Sequence, residues 1–298
     1  MAATDWDETV FEAHRPLLFS IAYRMLGSAS EAEDVVQDAW LRARQDEHAD
    51  VRSPRAYLAT IVTRLCIDHL RSAEHTRLEY PGPWLPEPLA EPNQESAELA
   101  SSLTTAFLVL LQQLVPAECA VFLLREVFEF DFDEIARTVG KSEANTRQIL
   151  ARARSRLRVS RPRFTASRRE SEAIVTRFRH ACATGNVDEL MSVLHADAHL
   201  TSDGGGKVAA ATRPVLGADR VAKFMLGYAG KLHWSESDFE LVTINGAPGL
   251  LMRHPIAGNG TYAFDIADGR IRAIYVVRNP DKLRVFLERT PQRGELRG

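Results

Sequence analysis

The amino-acid sequence predicts a multidomain fold of two all-α domains, the second with a helix-turn-helix, followed by an α+β domain. Three observations carry this. Apolar residues recur at helical spacing from Glu8 to about His75 and again from Glu95 to Leu157, strand-like patterning gathers after residue 240, and a proline-rich stretch over 78–98 parts the two helical regions. The expected division is 1–77, linker 78–98, 99–160 and 168–298. With 298 residues, 45% hydrophobic and 26% charged, the chain can bury a core in each part.

In the first part, Leu17, Ile21, Val35 and Ala39 mark apolar faces and Gly27-Ser28 breaks the first helix. Ser30 followed by Glu33 has the spacing of a capping box, which predicts a helix over Glu31–Arg44. Ser53-Pro54 then opens a helix over Arg55–Arg71, since proline suits the first helical position. The stretch Leu78–Pro92 holds five prolines and no basic residue, which disfavours helix. Its Pro83-Trp84-Leu85-Pro86-Glu87-Pro88-Leu89 run is more apolar than a passive spacer needs, so it is expected to dock on another surface.

Helical spacing resumes over Glu95–Leu114, and Val115-Pro116 resets it before Ala117–Phe128. Phe132–Val139, the turn Gly140-Lys141-Ser142 and Glu143–Leu157 then read as helix, turn and helix, with Ser142 as N-cap. Arg161–Ser167 is a hinge. Beyond it come a helix over Arg169–Thr184, a Gly185-Asn186 turn, a short helix and four strands: Leu241–Ile244, Leu250–His254, Thr261–Ile266 and Arg270–Arg278. Asp268-Gly269 is the hairpin turn between the last two.

Charge is distributed by segment. Residues 1–50 and 78–118 are strongly acidic, whereas 141–169 hold ten Lys/Arg against one acid, although the whole chain carries only −3. A phosphate-binding patch must be concentrated to displace counterions, so this alternation suits one face for DNA and another for a basic protein surface. No apolar run is long enough to span a bilayer and no secretory leader is evident, so a cytoplasmic protein without a membrane partner is expected. Cys66, Cys119 and Cys182 are far apart and lack ligand spacing, which points to buried thiols and to neither disulfides nor metal. No cofactor is expected.

In the second helix of the motif, Thr146, Leu150, Ala153 and Leu157 form one packed stripe. Asn145, Arg147 and Gln148 project near its start, where a recognition helix reads base edges, and Arg152, Arg154, Arg156 and Arg158 follow as cations in reach of phosphate. A basic helix that is merely solvated has the same composition. Arg55, Tyr57, Arg64, Asp68 and Arg71 give the earlier helix a mixed surface able to hold phosphate and an unstacked base, and equally a surface that only packs. Glu31, Glu33, Asp34, Gln37 and Asp38 form an acidic face suited to a basic protein groove. Gly204-Gly205-Gly206-Lys207 lacks the spacing of a nucleotide-binding loop, and a glycine loop that admits another backbone closely accounts for it better.

Ser30 through Trp40 resembles the polymerase-binding region two of extracytoplasmic-function (ECF) sigma factors, and Arg55–Arg71, ending Ile67-Asp68-His69-Leu70-Arg71, resembles their promoter-melting segment. Phe132-Asp133-Glu134-Ile135-Ala136 through Leu157 resembles region four, which in that family reads the upstream promoter element; Thr146 and Ile149 depart from the usual valine and arginine. Gly82–Leu89, Asp203–Lys207 and Asn279-Pro280-Asp281-Lys282-Leu283 together resemble the ECF group whose members carry a SnoaL-like C-terminal extension. The resemblance implies two all-α sigma domains followed by a SnoaL/NTF2-like α+β cone. It also implies a sigma factor acting with core RNA polymerase and promoter DNA. Asp34, Gln37 and Asp38 would bind polymerase; Arg55, Tyr57, Arg64, Asp68, Arg71, Ser142, Asn145, Arg147, Gln148, Arg152 and Arg154 would bind DNA. Trp84, Asp203, Gly204, Gly205, Gly206, Lys207, Asn279 and Asp281 would make regulatory contacts. The extension leaves room for an unidentified small-molecule ligand.

Two other readings use the same residues. One is an enzyme fused to a DNA-binding module, with Asp203, His195, His199, Trp234 and Tyr262 lining a pocket, though no partnered acid–base pair is visible and no catalytic residue is assigned. The other is a ligand-sensing helix-turn-helix regulator, which would have no use for the acidic N-terminal helix.

Overall fold

The structure is a computed structural model and describes residues 8–45, 53–90, 104–158 and 167–290. The chain divides into two compact units, one of Met1–Leu78 with Leu108–Arg161 and one of Glu79–Phe107 with Pro162–Gly298.

In the first unit, α1 (Glu8–Leu26) ends at Gly27, whose φ of 73° is the left-handed conformation that stops a helix. That turn leaves Ser28 extended, and its Oγ accepts from the Glu31 amide at 3.3 Å. The expected start at Glu31 under a Ser30 cap is therefore corrected: α2 runs Ala29–Ala43, capped by the first serine after the break. Ser53 Oγ accepts from the Ala56 amide and opens α3 (Pro54–Leu78), which outlasts the expected Arg71 because no glycine or proline intervenes before Pro81. Leu18, Ile21, Val36, Leu58 and Val62 are buried where these three helices meet.

The second helical region gives α4 (Thr105–Leu111), α5 (Pro116–Glu126), α6 (Phe132–Val139) and α7 (Glu143–Arg158). Of the helix expected over Glu95–Leu114, α4 stops at Leu111, and the part before residue 104 lies outside the described residues. The hinge expected over Arg161–Ser167 also lies outside them, apart from Ser167 itself. Ser167 Oγ accepts from the Glu170 amide and so caps α8 (Arg168–Thr184).

The second unit continues with α9 (Val187–Val193), β1 (Leu194–Asp203), β2 (Val215–Leu216), α10 (Ala218–Leu232), β3 (Phe239–Ile244), β4 (Ala247–His254), β5 (Gly258–Ala267), β6 (Arg270–Val277) and α11 (Pro280–Arg289). The six strands form one sheet in the order β2-β1-β6-β5-β4-β3, antiparallel except for the parallel β1/β6 pair. Asp268 and Gly269 both have positive φ, as a two-residue type I′ hairpin requires. Neither β1, β2 nor α10 is expected from the sequence pattern. Asn279–Leu283 form the N-cap and first turn of α11, opened by Pro280. The core of this unit joins Val175 and Phe178 of α8 with Val221 and Met225 of α10 and the sheet residues Leu200, Leu250, Phe264 and Ile274. Among the described residues no helix is long and apolar enough to cross a membrane.

Candidate nucleic-acid interface and linker dock

The helix-turn-helix is positioned by its own backbone chemistry. Glu134 Oε2 accepts from the Asp131 amide at the start of α6, and Gly140 takes φ of 65° at its end, bonding back to Ala136. Ser142 Oγ accepts from the Asn145 amide and opens α7, so this side chain serves as a cap. Thr146, Ile149, Leu150, Ala153 and Leu157 are buried, while Arg147 and Gln148 are exposed and Asn145 is half-buried beside them.

The arginines of α7 have carboxylate neighbours that residue spacing does not reveal. Glu118, buried on α5, lies 2.9 Å from Arg156 and 3.8 Å from Arg152. Glu126 lies 2.6 Å from Arg154. Arg147 meets Glu143 at 3.0 Å and lies over the Phe132 ring. All four guanidinium groups remain about half exposed, so phosphate can compete for them.

The candidate DNA-binding residues of α3 are also engaged within the first unit. Arg55 donates to the Phe128 carbonyl at 2.6 Å and lies over the Phe130 ring, and Arg64 donates to the carbonyls of Thr138 and Arg137 at 3.0 and 2.7 Å. Thr60 and Thr138 share a hydroxyl bond of 2.8 Å. Arg24, which sequence reasoning passed over, is buried against the Phe128 ring, and desolvation lowers its pKa to about 10. Tyr57 is half-buried on the same helix, and Asp68 and Arg71 are exposed and 3.7 Å apart. On α2, Glu31 faces His69 and Glu33 faces Arg15, whereas Asp34, Gln37 and Asp38 lie exposed opposite the buried Val35, Val36 and Ala39.

In the second unit, Tyr80 and Leu85 of the linker bond to the end of β1, and Leu89 to the β3/β4 turn. The parallel register pairs Asp203 with Val277, and the Asp203 carbonyl accepts from the Arg278 and Asn279 amides at 2.8 and 3.0 Å. This brings together two loops far apart in sequence. The Asp203 carboxylate is fully buried and accepts from Tyr80 Oη (2.6 Å), the Leu85 amide (2.9 Å), the Gly205 amide (3.0 Å) and Lys282 Nζ (2.7 Å). Lys282 is 8% exposed; its ammonium also donates to the Leu85 carbonyl and sits 3.8 Å from the centre of the Trp84 ring. Asn279 Nδ2 donates to Tyr80 Oη, and Lys207 pairs with Asp281 at 2.5 Å. Desolvation, together with the buried Asp203 carboxyl beside it, pushes the Tyr80 phenol well above its usual range.

The glycines here are matters of space. A Cβ on Gly205, at φ of 60°, would come within 2.4 Å of the Asn279 amide, and one on Gly206 would meet Pro81 at 2.6 Å. A Cβ on Gly204 would meet the Val208 carbonyl at 2.3 Å. A second clasp joins Leu89 and Asn245 by two bonds of 2.9 Å, one in each direction.

Trp84, Asp203, Gly205, Gly206 and Asn279 thus meet at the linker, with Gly204, Lys207 and Asp281 in the same two loops; Leu85 and Lys282 lie in the segments expected to dock, while Tyr80 and Asn245 join them unpredicted. The residues of the enzyme reading do not converge. Asp203 is in the dock, His199 meets Tyr275 on the sheet face opposite Leu200, and Trp234 packs among Tyr228, Phe239 and Tyr262. His195 meets Asp197, its neighbour two residues on. Of the five, Tyr262 alone lines the cavity of about 220 Å³ that lies between the sheet and α10.

Two helical domains, one built on a helix-turn-helix with an arginine-rich second helix, define a sigma-70 type of transcription initiation factor. Sigma-70 region 2 matches residues 10–76 and Sigma-70, region 4 matches residues 104–157. The chain is 36% identical to the ECF RNA polymerase sigma factor SigJ of Mycobacterium tuberculosis, over 91% of each chain, and 32% identical to the probable ECF RNA polymerase sigma factor SigI of the same species over the full length of both. The crystal structure of M. tuberculosis SigJ superposes with a TM-score of 0.78 at 32% identity, covering 93% of this chain and 98% of that one. The chain belongs to the ECF RNA polymerase sigma factors, and it carries an α+β domain at its C-terminus.

Proposed function

We propose that this sigma factor guides core RNA polymerase to promoters through three surfaces and is tuned in cis by its own C-terminal domain. In this reading, residues 1–77 form the polymerase-binding and promoter-melting domain and residues 99–160 the upstream-element reader. Residues 168–298 form a regulatory domain without catalysis, and the protein works in the cytoplasm. The observation that carries it is the anchoring of the linker's Tyr80 and Leu85 on Asp203 and Lys282, because a linker fixed by a buried ion pair ties the extension to the one segment joining the two sigma domains. Asp34, Gln37 and Asp38 are the polymerase contacts. Asn145, Arg147 and Gln148 read bases, while Arg152 and Arg154 exchange Glu118 and Glu126 for phosphate. Arg55 and Arg64 reach DNA after releasing the carbonyls they now hold.

The test is transcription by core polymerase with the full chain, a chain ending at residue 167, and Gly205→Trp. Truncation is expected to change transcript yield several-fold on an unchanged promoter, and Gly205→Trp to reproduce part of that change by forcing Asn279 away. Identical output from all three proteins would leave the extension without a regulatory role. In parallel, Arg147→Ala and Gln148→Ala are each expected to weaken upstream-element binding by about 1–3 kcal/mol and to relax base preference. Equal losses on specific and random duplexes would mean that these side chains contact only phosphate.

A further inference from the structure

The cavity between the sheet and α10 is lined almost wholly by apolar groups, with one exception. Leu200, Phe224, Met225, Tyr262 and Val276 supply the walls, the segment Ala209–Ala211 flanks one side, and Arg278 enters from the end of β6. Arg278 is only 7% exposed. Its Nη1 donates to the Ala209 carbonyl at 2.6 Å and to Tyr228 Oη, and its Nη2 donates to the Ala257 carbonyl at 2.5 Å. All of these acceptors are neutral. Its Nε has no hydrogen-bond partner, and no carboxylate pairs with this guanidinium among the described residues. A buried cation without a counter-charge is costly, and an anion brought to it removes that cost. Arg278 also lies over the Tyr228 ring at 5.4 Å, but it has no carboxylate of the kind that Asp203 gives Lys282.

We infer that this cavity binds a compact apolar carboxylic acid, its carboxylate meeting Arg278 and its hydrocarbon part filling the space under α10. The size fits. A cavity of ~150 Å³ holds benzene, so about 220 Å³ leaves room for a single ring with a carboxylate. A phosphate ester, whose larger charge calls for several charged donors, fits this site less well, because the walls beyond Arg278 are mostly hydrocarbon and hold no second cation. Ser202 Oγ accepts from the Ala211 amide, and Tyr228 Oη accepts from Arg278.

The cavity also shares a wall with the linker dock. Ser202 and Arg278 line the cavity, and the next residue of each, Asp203 and Asn279, holds the linker. Ala210 faces the cavity while its Cβ lies 2.9 Å from where a Cβ on Gly204 would stand. A ligand that draws Arg278 inward therefore pulls on the backbone amide that bonds Asp203. This consequence rests on the cis-regulatory reading above; the binding itself does not.

The experiment uses the full chain and intrinsic tryptophan fluorescence, since Trp234 packs edge-on against Tyr228 at 5.4 Å and so reports on the cavity wall. Benzoate, phenylacetate and 4-isopropylbenzoate are titrated beside benzyl alcohol and benzylamine, with calorimetry as a second readout. At least one acid is expected to bind saturably with a dissociation constant of about 1 mM or below, and about tenfold tighter than the alcohol and the amine. Ala211→Phe keeps Arg278 and fills the cavity mouth, so it is expected to lose that binding by about tenfold or more; Arg278→Met should remove the preference for the acid. If Arg278→Met does not fold, Ala211→Phe alone decides. Absence of saturable binding by all three acids, equal binding of the alcohol, or unchanged binding by Ala211→Phe would each overturn the site. Transcription with and without the bound acid is then compared in wild type and Ala211→Phe. A change confined to wild type supports the coupling, and binding without any change overturns the coupling while leaving the site standing.

Discussion

Replacing Asp203 by alanine is expected to destabilise the C-terminal unit by about 3–5 kcal/mol, the range for removing one partner of a buried ion pair. The substitution removes the carboxylate from beside the Lys282 ammonium, a residue 8% exposed that also meets the Leu85 carbonyl and the Trp84 and Tyr80 rings. It also deprives Tyr80 Oη and the amides of Leu85 and Gly205 of their acceptor. Asp203→Ala combined with Lys282→Met should recover part of the loss, because removing both charges of a buried pair is milder than stranding one. Urea denaturation of the three proteins measures this, and limited proteolysis between Pro81 and Leu89 reports release of the linker. A loss below about 1 kcal/mol, typical of exposed pairs, would mean that water reaches the Lys282 ammonium.

Changing Asp34 and Asp38 together to arginine is expected to lower affinity for core RNA polymerase by about a hundredfold or more, since like charges brought together across an interface cost several kcal/mol. The fold should be spared. Both residues are exposed on α2, on the side away from Val35, Val36 and Ala39, so the denaturation midpoint should shift little. Co-purification with polymerase and native gel shift of the complex give the measurement, and full retention of affinity would remove this face from the proposed interface.

The helical half of the molecule was legible because its signals are local. Gly27, Ser53-Pro54, Val115-Pro116 and Gly140 act on their own backbone, so each break falls where the residue type demands, within a residue or two. The C-terminal sheet was legible only in its antiparallel part, where Asp268-Gly269 announces a hairpin and the strands are dense in apolar residues. Strand β1, Leu-His-Ala-Asp-Ala-His-Leu-Thr-Ser-Asp, is too polar for that signal and becomes a strand through its parallel pairing with β6, more than seventy residues later. The dock was half legible for the same reason. Its glycines and Asn279 stand out as residue types, but the pairing of Asp203 with Lys282 depends on the β1/β6 register, and Tyr80 carries no mark of its own. Likewise, only the fold brings Glu118 beneath Arg152 and Arg156.

Arg55 and Arg64 hold the helix-turn-helix by the carbonyl oxygens of Phe128, Arg137 and Thr138. Every residue type offers the same carbonyl, so these attachments place little demand on which side chains occupy α6 and α7. The consequence is evolutionary: the proposed base-reading positions Asn145, Arg147 and Gln148 are free to drift toward new promoter sequences without dismantling the hold that α3 keeps on the domain carrying them. Duplicated genes could diverge in the sites they recognise while inheriting one common packing of α3 on the helix-turn-helix.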